Sequence, residues 1–170
     1  LGATELGDPL ASRDDASAAF SSLYTWADWE RELGSRFSME LAARGQIASA
    51  PLLSTEDLGL GGNRFLRGYP YSQRSGDEGI MGSGELRYDW ADALNLVDNI
   101  QIYAYADGGY VSNLEDGRGT GELYSAGGGL RTDIVNGLDF DVELAMPLSG
   151  PRYDTDNDNP RLNVKLRKTL

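Results

Sequence analysis

Strict two-residue alternation is the feature that most limits what this chain can fold into. From Ile80 to Trp90, the residues Ile80, Gly82, Gly84, Leu86, Tyr88 and Trp90 share one parity; Ser83, Glu85, Arg87 and Asp89 share the other. Side chains of a strand point alternately to its two faces, so this is a strand with one apolar and one charged face. A strand of about eleven residues with Tyr and Trp at one end has the length to cross a bilayer obliquely in a barrel.

The pattern recurs along the chain. Over Arg36–Ala48, Phe37, Met39, Leu41, Ala43 and Ile47 oppose Arg36, Ser38, Glu40, Arg44 and Gln46. Over Ile100–Ser112, Ile100, Ile102, Ala104, Ala106, Gly108 and Tyr110 oppose Gln101, Tyr103, Tyr105, Asp107 and Gly109. Tyr124–Ile134 sets Ser125, Arg131 and Asp133 against Tyr124, Ala126, Leu130 and Ile134. Leu138–Met146 is the clearest, with Leu138, Phe140, Val142, Leu144 and Met146 opposing Asp139, Asp141, Glu143 and Ala145. Arg161–Leu170 ends the series. Ala16–Glu30 alternates poorly, and Ala, Glu and Arg around Trp26 and Trp29 make a helix the rival there; a strand is expected.

The expected architecture is all-β, an antiparallel up-and-down meander of about seven strands. Short connections follow Glu32, Trp90 (through Ala91 to Asn99) and Val135, the last with an Asn136-Gly137 hairpin signal. Long polar ones follow Ala48, Ser112 and Gly150. Long and short alternate strictly, as in outer-membrane barrels with short turns at one end and long loops at the other. Ser49–Gly79 carries no strand pattern, and a loop that long is usually functional.

Composition removes several functions. There is no His and no Cys, which excludes a Ser-His-Asp triad, His-ligated metals, thiol catalysis and disulfides. Net charge is −12, from 15 basic and 27 acidic residues, which opposes nonspecific nucleic-acid binding. The chain holds no run of 18 apolar residues, so no transmembrane helix is expected. Leu1–Asp15 is polar and acidic, a loop rather than a signal peptide. The first residue is not Met, so the chain is expected to be a piece of something longer. Mean hydropathy is −0.42; a transmembrane barrel also averages low, because lumen-facing residues dilute lipid-facing ones.

Three chemical motifs fail on spacing. Gly59, Gly61 and Gly62 suggest a phosphate loop, but Arg64 stands where the third Gly belongs and no Lys-Ser/Thr follows. Asp154, Asp156 and Asp158 begin like a calcium loop, but Asn159 and Lys165 occupy its Gly and Glu positions. Asp139 and Asp141 point the same way on one strand, which does not make a glycosidase pair. No enzymatic activity and no cofactor are expected.

Gly61–Trp90 as a whole is more specific. It contains Leu66-Arg67-Gly68-Tyr69 and, after it, Glu85-Leu86-Arg87. This order resembles the outer-membrane superfamily of transporters that join POTRA domains to a barrel. Gly61-Gly62 and Ser75-Gly76-Asp77-Glu78-Gly79 resemble its two-partner secretion branch, the hemolysin secretion/activation type. The final hairpin, with Asn159-Pro160-Arg161, also looks like the family's last one; Leu170 stands where the family usually ends on an aromatic residue.

The resemblance implies that residues 1–170 are the C-terminal portion of a sixteen-stranded transmembrane barrel in the bacterial outer membrane, among lipid, with POTRA domains upstream. The implied function is export of a large hemolysin- or adhesin-like polypeptide. It places the 49–79 loop inside the barrel, with Arg67 paired to a carboxylate of an aromatic-x-Asp-x-Gly motif. The matching residues are Tyr105-Ala106-Asp107-Gly108-Gly109, with Tyr in place of the usual Phe. Asp107 falls on the charged face by parity, and Gly109 shares that face. Glu85, Arg87, Arg131, Asp133, Asp141 and Glu143 are the expected lumen wall. Two alternatives stay open: a barrel assembly or insertion factor of the same superfamily, and a soluble secreted β-sandwich binding module that buries its apolar faces together.

Overall fold

The computed structural model describes residues 13, 16, 19–94, 97–115, 119–134 and 138–168; for 91–94, 97–98 and 133–134 it describes the backbone. Nine strands occur among them: β1 (Ser22–Glu32), β2 (Phe37–Ala48), β3 (Leu58–Leu60), β4 (Arg74–Gly76), β5 (Glu78–Leu94), β6 (Val97–Ser112), β7 (Gly121–Ile134), β8 (Leu138–Pro147) and β9 (Arg161–Lys168). Seven form one antiparallel sheet in the order β1-β2-β5-β6-β7-β8-β9, and β3 pairs with β4 in a separate hairpin. The meander is therefore up-and-down, and the sheet is open rather than closed on itself.

The two faces of this sheet are inverted relative to a soluble protein. Leu41, Ile80, Leu86, Ile102, Leu130 and Leu144 lie on one face and are exposed. Glu85, Asp107, Ser125 and Glu143 lie on the other and are buried. Burial follows parity along each strand, as the pleat requires. Water would penalise the apolar face, whereas hydrocarbon would not. No helix among the described residues is long and apolar enough to cross a membrane. The sandwich reading needs a cover over the apolar face, and nothing among the described residues supplies one.

What buries the polar face is the 49–79 segment. Leu58, Leu60, Phe65, Leu66 and Tyr69 pack onto Ala42, Met81, Val111 and Leu123. Those four are the inward side chains of β2, β5, β6 and β7 near the end that carries the long connections. The largest apolar cluster thus lies between a loop and the sheet's polar face. Gly109 belongs to this contact: a Cβ there would stand 2.9 Å from Leu60 Cδ2 and 3.1 Å from Leu66 Cδ1.

Several boundaries differ from the sequence expectation. The first strand runs Ser22–Glu32 rather than Ala16–Glu30. By register Trp26 opposes Arg44, which places it on the polar face, and Trp29 opposes Leu41 on the apolar one. The 49–79 segment is not free of strands, because Leu58–Leu60 pairs with Arg74–Gly76. Residues 91–94 and 97–99, expected in a connection, belong to strands: Asn99 pairs with Ala91, and Val97 with Leu94, across a register irregularity. Backbone donors and acceptors go on pairing where the side-chain pattern has lapsed. Gly121 and Glu122 belong to β7 rather than to the preceding loop. The expected 1–15 loop (Arg13 apart), the Asn136-Gly137 hairpin and Leu170 lie outside the described residues.

Candidate functional site

The site forms where the tip of the 49–79 segment meets four strands. A hydrogen-bonded turn from Tyr69 N–H to Leu66 O, 2.9 Å, makes the tip. Leu66 adopts φ of 54°, a left-handed conformation that costs a non-glycine residue about 1–2 kcal/mol. Its fully buried side chain is what offsets that strain. Gly68 is required by proximity. A Cβ there would stand 2.7 Å from Pro147 N and 2.8 Å from Met146 C, so only glycine lets the turn rest on the β8 backbone.

Between them, Arg67 projects into the polar face. Its Nε and Nη2 donate to Asp107 Oδ2 and Oδ1, both at 3.2 Å, a bidentate pair. Its own backbone N–H donates to Asp107 Oδ2 at 3.0 Å. Nη1 donates to Glu85 Oε2 at 2.7 Å and to Glu143 Oε2 at 3.4 Å, and Nη2 to Ser83 Oγ at 3.1 Å. The Arg67 guanidinium carbon lies 3.2 Å from the centroid of the Tyr105 ring. Arg67 is 5% exposed and Asp107 4%, so the pair is cut off from water. Burial works against the charge on Arg67. Asp107 and then Glu85 outweigh it, and its pKa stands above the ordinary guanidinium value.

Three carboxylates around one guanidinium need further donors. Ser125 Oγ donates to Asp107 Oδ2 at 3.1 Å, Tyr103 OH to Glu143 at 3.2 Å, and Asn163 Nδ2 to Glu143 Oε1 at 3.0 Å. Arg131 supplies a second cation, 2.6 Å from Glu85 Oε1 and 3.7 Å from the Tyr103 ring centroid. Arg87 donates to Glu85 Oε1 at 2.8 Å, to Glu30 at 3.0 Å, and also to Glu40. Asp141 shares the single Tyr103 O–H with Glu143, at 3.0 Å from the hydroxyl, and lies 3.9 Å from Lys165 Nζ. The result is a connected wall of mixed charge, with a cavity of about 300 Å³ between Arg64, Arg67, Arg87, Arg131, Glu40 and Glu85.

Of the residues singled out in the sequence, Arg67, Asp107, Glu85 and Glu143 meet directly, and Arg87, Arg131 and Asp141 join through them. Gly109 touches the loop leucines rather than Arg67. Asp133 lies in β7 opposite Asp139; its side chain is outside the described residues. Tyr69 is fully buried, accepting from Ser149 N–H at 2.7 Å and donating to Gly150 O at 3.3 Å. It fastens the β8–β9 connection to the loop tip.

Sequence reasoning missed Ser83, Ser125 and the glycine run of β7. Tyr103 opposes Gly129 and Tyr105 opposes Gly127. A Cβ on Gly127 would stand 2.6 Å from the Tyr105 hydroxyl, and one on Gly129 would stand 2.7 Å from that of Tyr103. The two rings lie flat on bare backbone, each flooring an arginine. The signal was two aromatic residues facing alternate glycines, and it becomes visible only once the register is known.

The family model for the haemolysin secretion/activation proteins ShlB/FhaC/HecB matches residues 2–132. The chain belongs to that family. Its place is the outer membrane of Gram-negative bacteria, which accords with the inverted sheet. Among solved structures the chain is similar to CdiB from Escherichia coli, with TM-score 0.70, 25% identity, and coverage of 86% of this chain and 27% of that one. It is also similar in fold to CdiB from Acinetobacter baumannii, with TM-score 0.66, 22% identity, and coverage of 86% and 26%. The chain therefore spans about a quarter of the length of these solved proteins. No curated protein matches it.

Proposed function

We propose that this chain is the C-terminal portion of a sixteen-stranded outer-membrane pore that exports a large hemolysin- or adhesin-like polypeptide in unfolded form, downstream of POTRA domains. The apolar face meets lipid, and the polar face lines the lumen. Residues 49–79 fold inward and rest there, with Leu66-Arg67-Gly68-Tyr69 at the tip, held by Asp107, Glu85 and Glu143. The carrying observation is the burial of Arg67 against Asp107 on the face that a membrane barrel turns inward.

The wall chemistry suits a sliding substrate. Glu85 and Asp141 pair with Arg87 and Arg131, and Glu143 pairs with Arg67, so these charges are already matched and offer a passing segment little to grip. Transport would need no nucleotide chemistry in this portion, since no phosphate loop is present in its sequence.

The test is secretion of the partner polypeptide by the full-length transporter carrying Arg67→Ala or Asp107→Ala. Insertion is checked by the heat-dependent shift of the folded barrel on a gel. Inserted barrels with impaired export are expected. Normal export by both variants would overturn the role given to the loop.

A further inference from the structure

The 49–79 segment is held at a second place, remote in sequence from Arg67, and there the charges are reversed. At the tip the loop supplies the cation and the strands supply the anions. At the neck the loop supplies carboxylates. Asp77 is completely buried. Its Oδ1 accepts from Arg13 Nη1 and from Leu52 N–H, each at 2.7 Å. Its Oδ2 accepts from Leu114 N–H at 2.8 Å. Arg13 Nη1 also lies 3.8 Å from Asp57 Oδ1 and donates to Asn113 Oδ1 at 3.3 Å.

One carboxylate therefore gathers the segment ahead of β1, the outgoing leg of the long loop and the β6–β7 connection. The loop's return leg carries that carboxylate. The β8–β9 connection is tied to the same loop separately. Gln73 donates to Pro151 O at 3.2 Å and accepts from Tyr153 N–H at 3.0 Å. Every long connection at this end of the sheet is thus fastened to the 49–79 segment.

We infer that Arg13 is a positioning residue, a counter-ion latch that closes the outer mouth by pinning Asp77 and Asp57 of the long loop. This rests on the export-pore reading above. With the cation withdrawn, the completely buried Asp77 carboxylate keeps its Leu52 and Leu114 N–H donors but loses the Arg13 charge it shares with Asp57, which is unfavourable in a low-dielectric site. Relief comes by separation, and separation moves the loop neck away from the upstream segment. Arg67 is untouched by that change, so the latch opens the mouth while the tip stays seated.

The experiment compares uptake of a large antibiotic that is normally excluded by the outer membrane. Cells carry the full-length transporter as wild type, Arg13→Gln, Arg13→Lys, Asp77→Asn, or a deletion of residues 51–76. Folding is read from the heat-dependent gel shift. Deletion of the loop should raise uptake several-fold, which shows that the loop occludes a pore. Arg13→Gln and Asp77→Asn should each raise it several-fold as well, and Arg13→Lys should return it to the wild-type level. A purely structural residue would not be rescued by charge alone. If the deletion raises uptake and neither neutralised variant does, the latch is overturned and the pore reading survives. If the deletion leaves uptake unchanged, both fall.

Discussion

Arg67 and Asp107 are joined by three hydrogen bonds, two from the guanidinium and one from the Arg67 backbone N–H, all between 3.0 and 3.2 Å. The carboxylate therefore reads both the charge and the backbone position of the residue opposite. A pair of this kind fixes a loop in place more narrowly than a charge contact alone. Its buried setting also makes either partner costly to lose.

Replacement of Arg67 should discriminate geometry from charge. Arg67→Ala leaves Glu85, Asp107 and Glu143 facing an empty site, and breaking a well-buried pair costs about 3–5 kcal/mol. Arg67→Lys keeps the charge but cannot span Asp107 and Glu85 with a planar fork. Export by the full-length transporter should fall in the order wild type, Arg67→Lys, Arg67→Ala. Equal export from the lysine variant and wild type would mean that charge alone suffices.

Gly68→Ala should act like a charge loss although it removes no charge. The added methyl would stand 2.7 Å from Pro147 N and 2.8 Å from Met146 O, contacts that backbone cannot yield cheaply. The tip must lift, and Arg67 lifts with it. Overpacking of this sort costs about 1–3 kcal/mol. Faster protease cleavage within residues 49–79 of the folded barrel checks this, and an unchanged cleavage rate would argue against it.

Tyr69→Phe removes only the hydroxyl shared by Ser149 N–H and Gly150 O. A net hydrogen bond contributes about 0.5–1.5 kcal/mol. Arg161 still donates to the Tyr69 carbonyl at 3.2 Å, so the tip should stay near its place. The expected outcome is quicker proteolysis between Gly150 and Pro160 with little change at Arg67.

The two faces predict opposite tolerance on neighbouring positions. Leu86 sits midway along β5 on the exposed apolar face. Arginine there should cost about 2–4 kcal/mol at the bilayer midplane. Arg87→Gln, one residue on but facing inward, should leave insertion intact while freeing Glu40 and Glu30 of a partner. Folding yield into lipid vesicles distinguishes them. Equal yields would contradict the lipid assignment of the apolar face.

Much of this was legible because parity is a local property. Alternation from Ile80, Ile100 and Leu138 placed Glu85, Asp107 and Glu143 on one face before any register was known. Parity cannot say which same-face carboxylates meet one arginine. Glu85 and Asp107 stand on adjacent strands, but Glu143 arrives from β8 and Ser125 from β7, and only the ladder brings them level. The β3–β4 hairpin was hidden because three residues per strand are too few to show a period. Asp77 stood in the Ser75–Gly79 stretch that carries the resemblance, but nothing in the sequence pointed to its partners. Two of its partners are backbone N–H groups, and the third is an arginine 64 residues away.

Cross-linking reads whether the loop is seated against the wall. This chain has no cysteine of its own, so a pair introduced as Leu66→Cys and Gly109→Cys, where a Cβ on Gly109 stands 3.1 Å from Leu66 Cδ1, adds the only thiols in this part of the protein and leaves the Arg67–Asp107 pair in place. In the full-length transporter, inserted in cells and treated with mild oxidant, a disulfide should form between them, seen as altered mobility that reductant reverses. Free thiols at both positions in a folded barrel, both open to a membrane-impermeant maleimide, would contradict that seating.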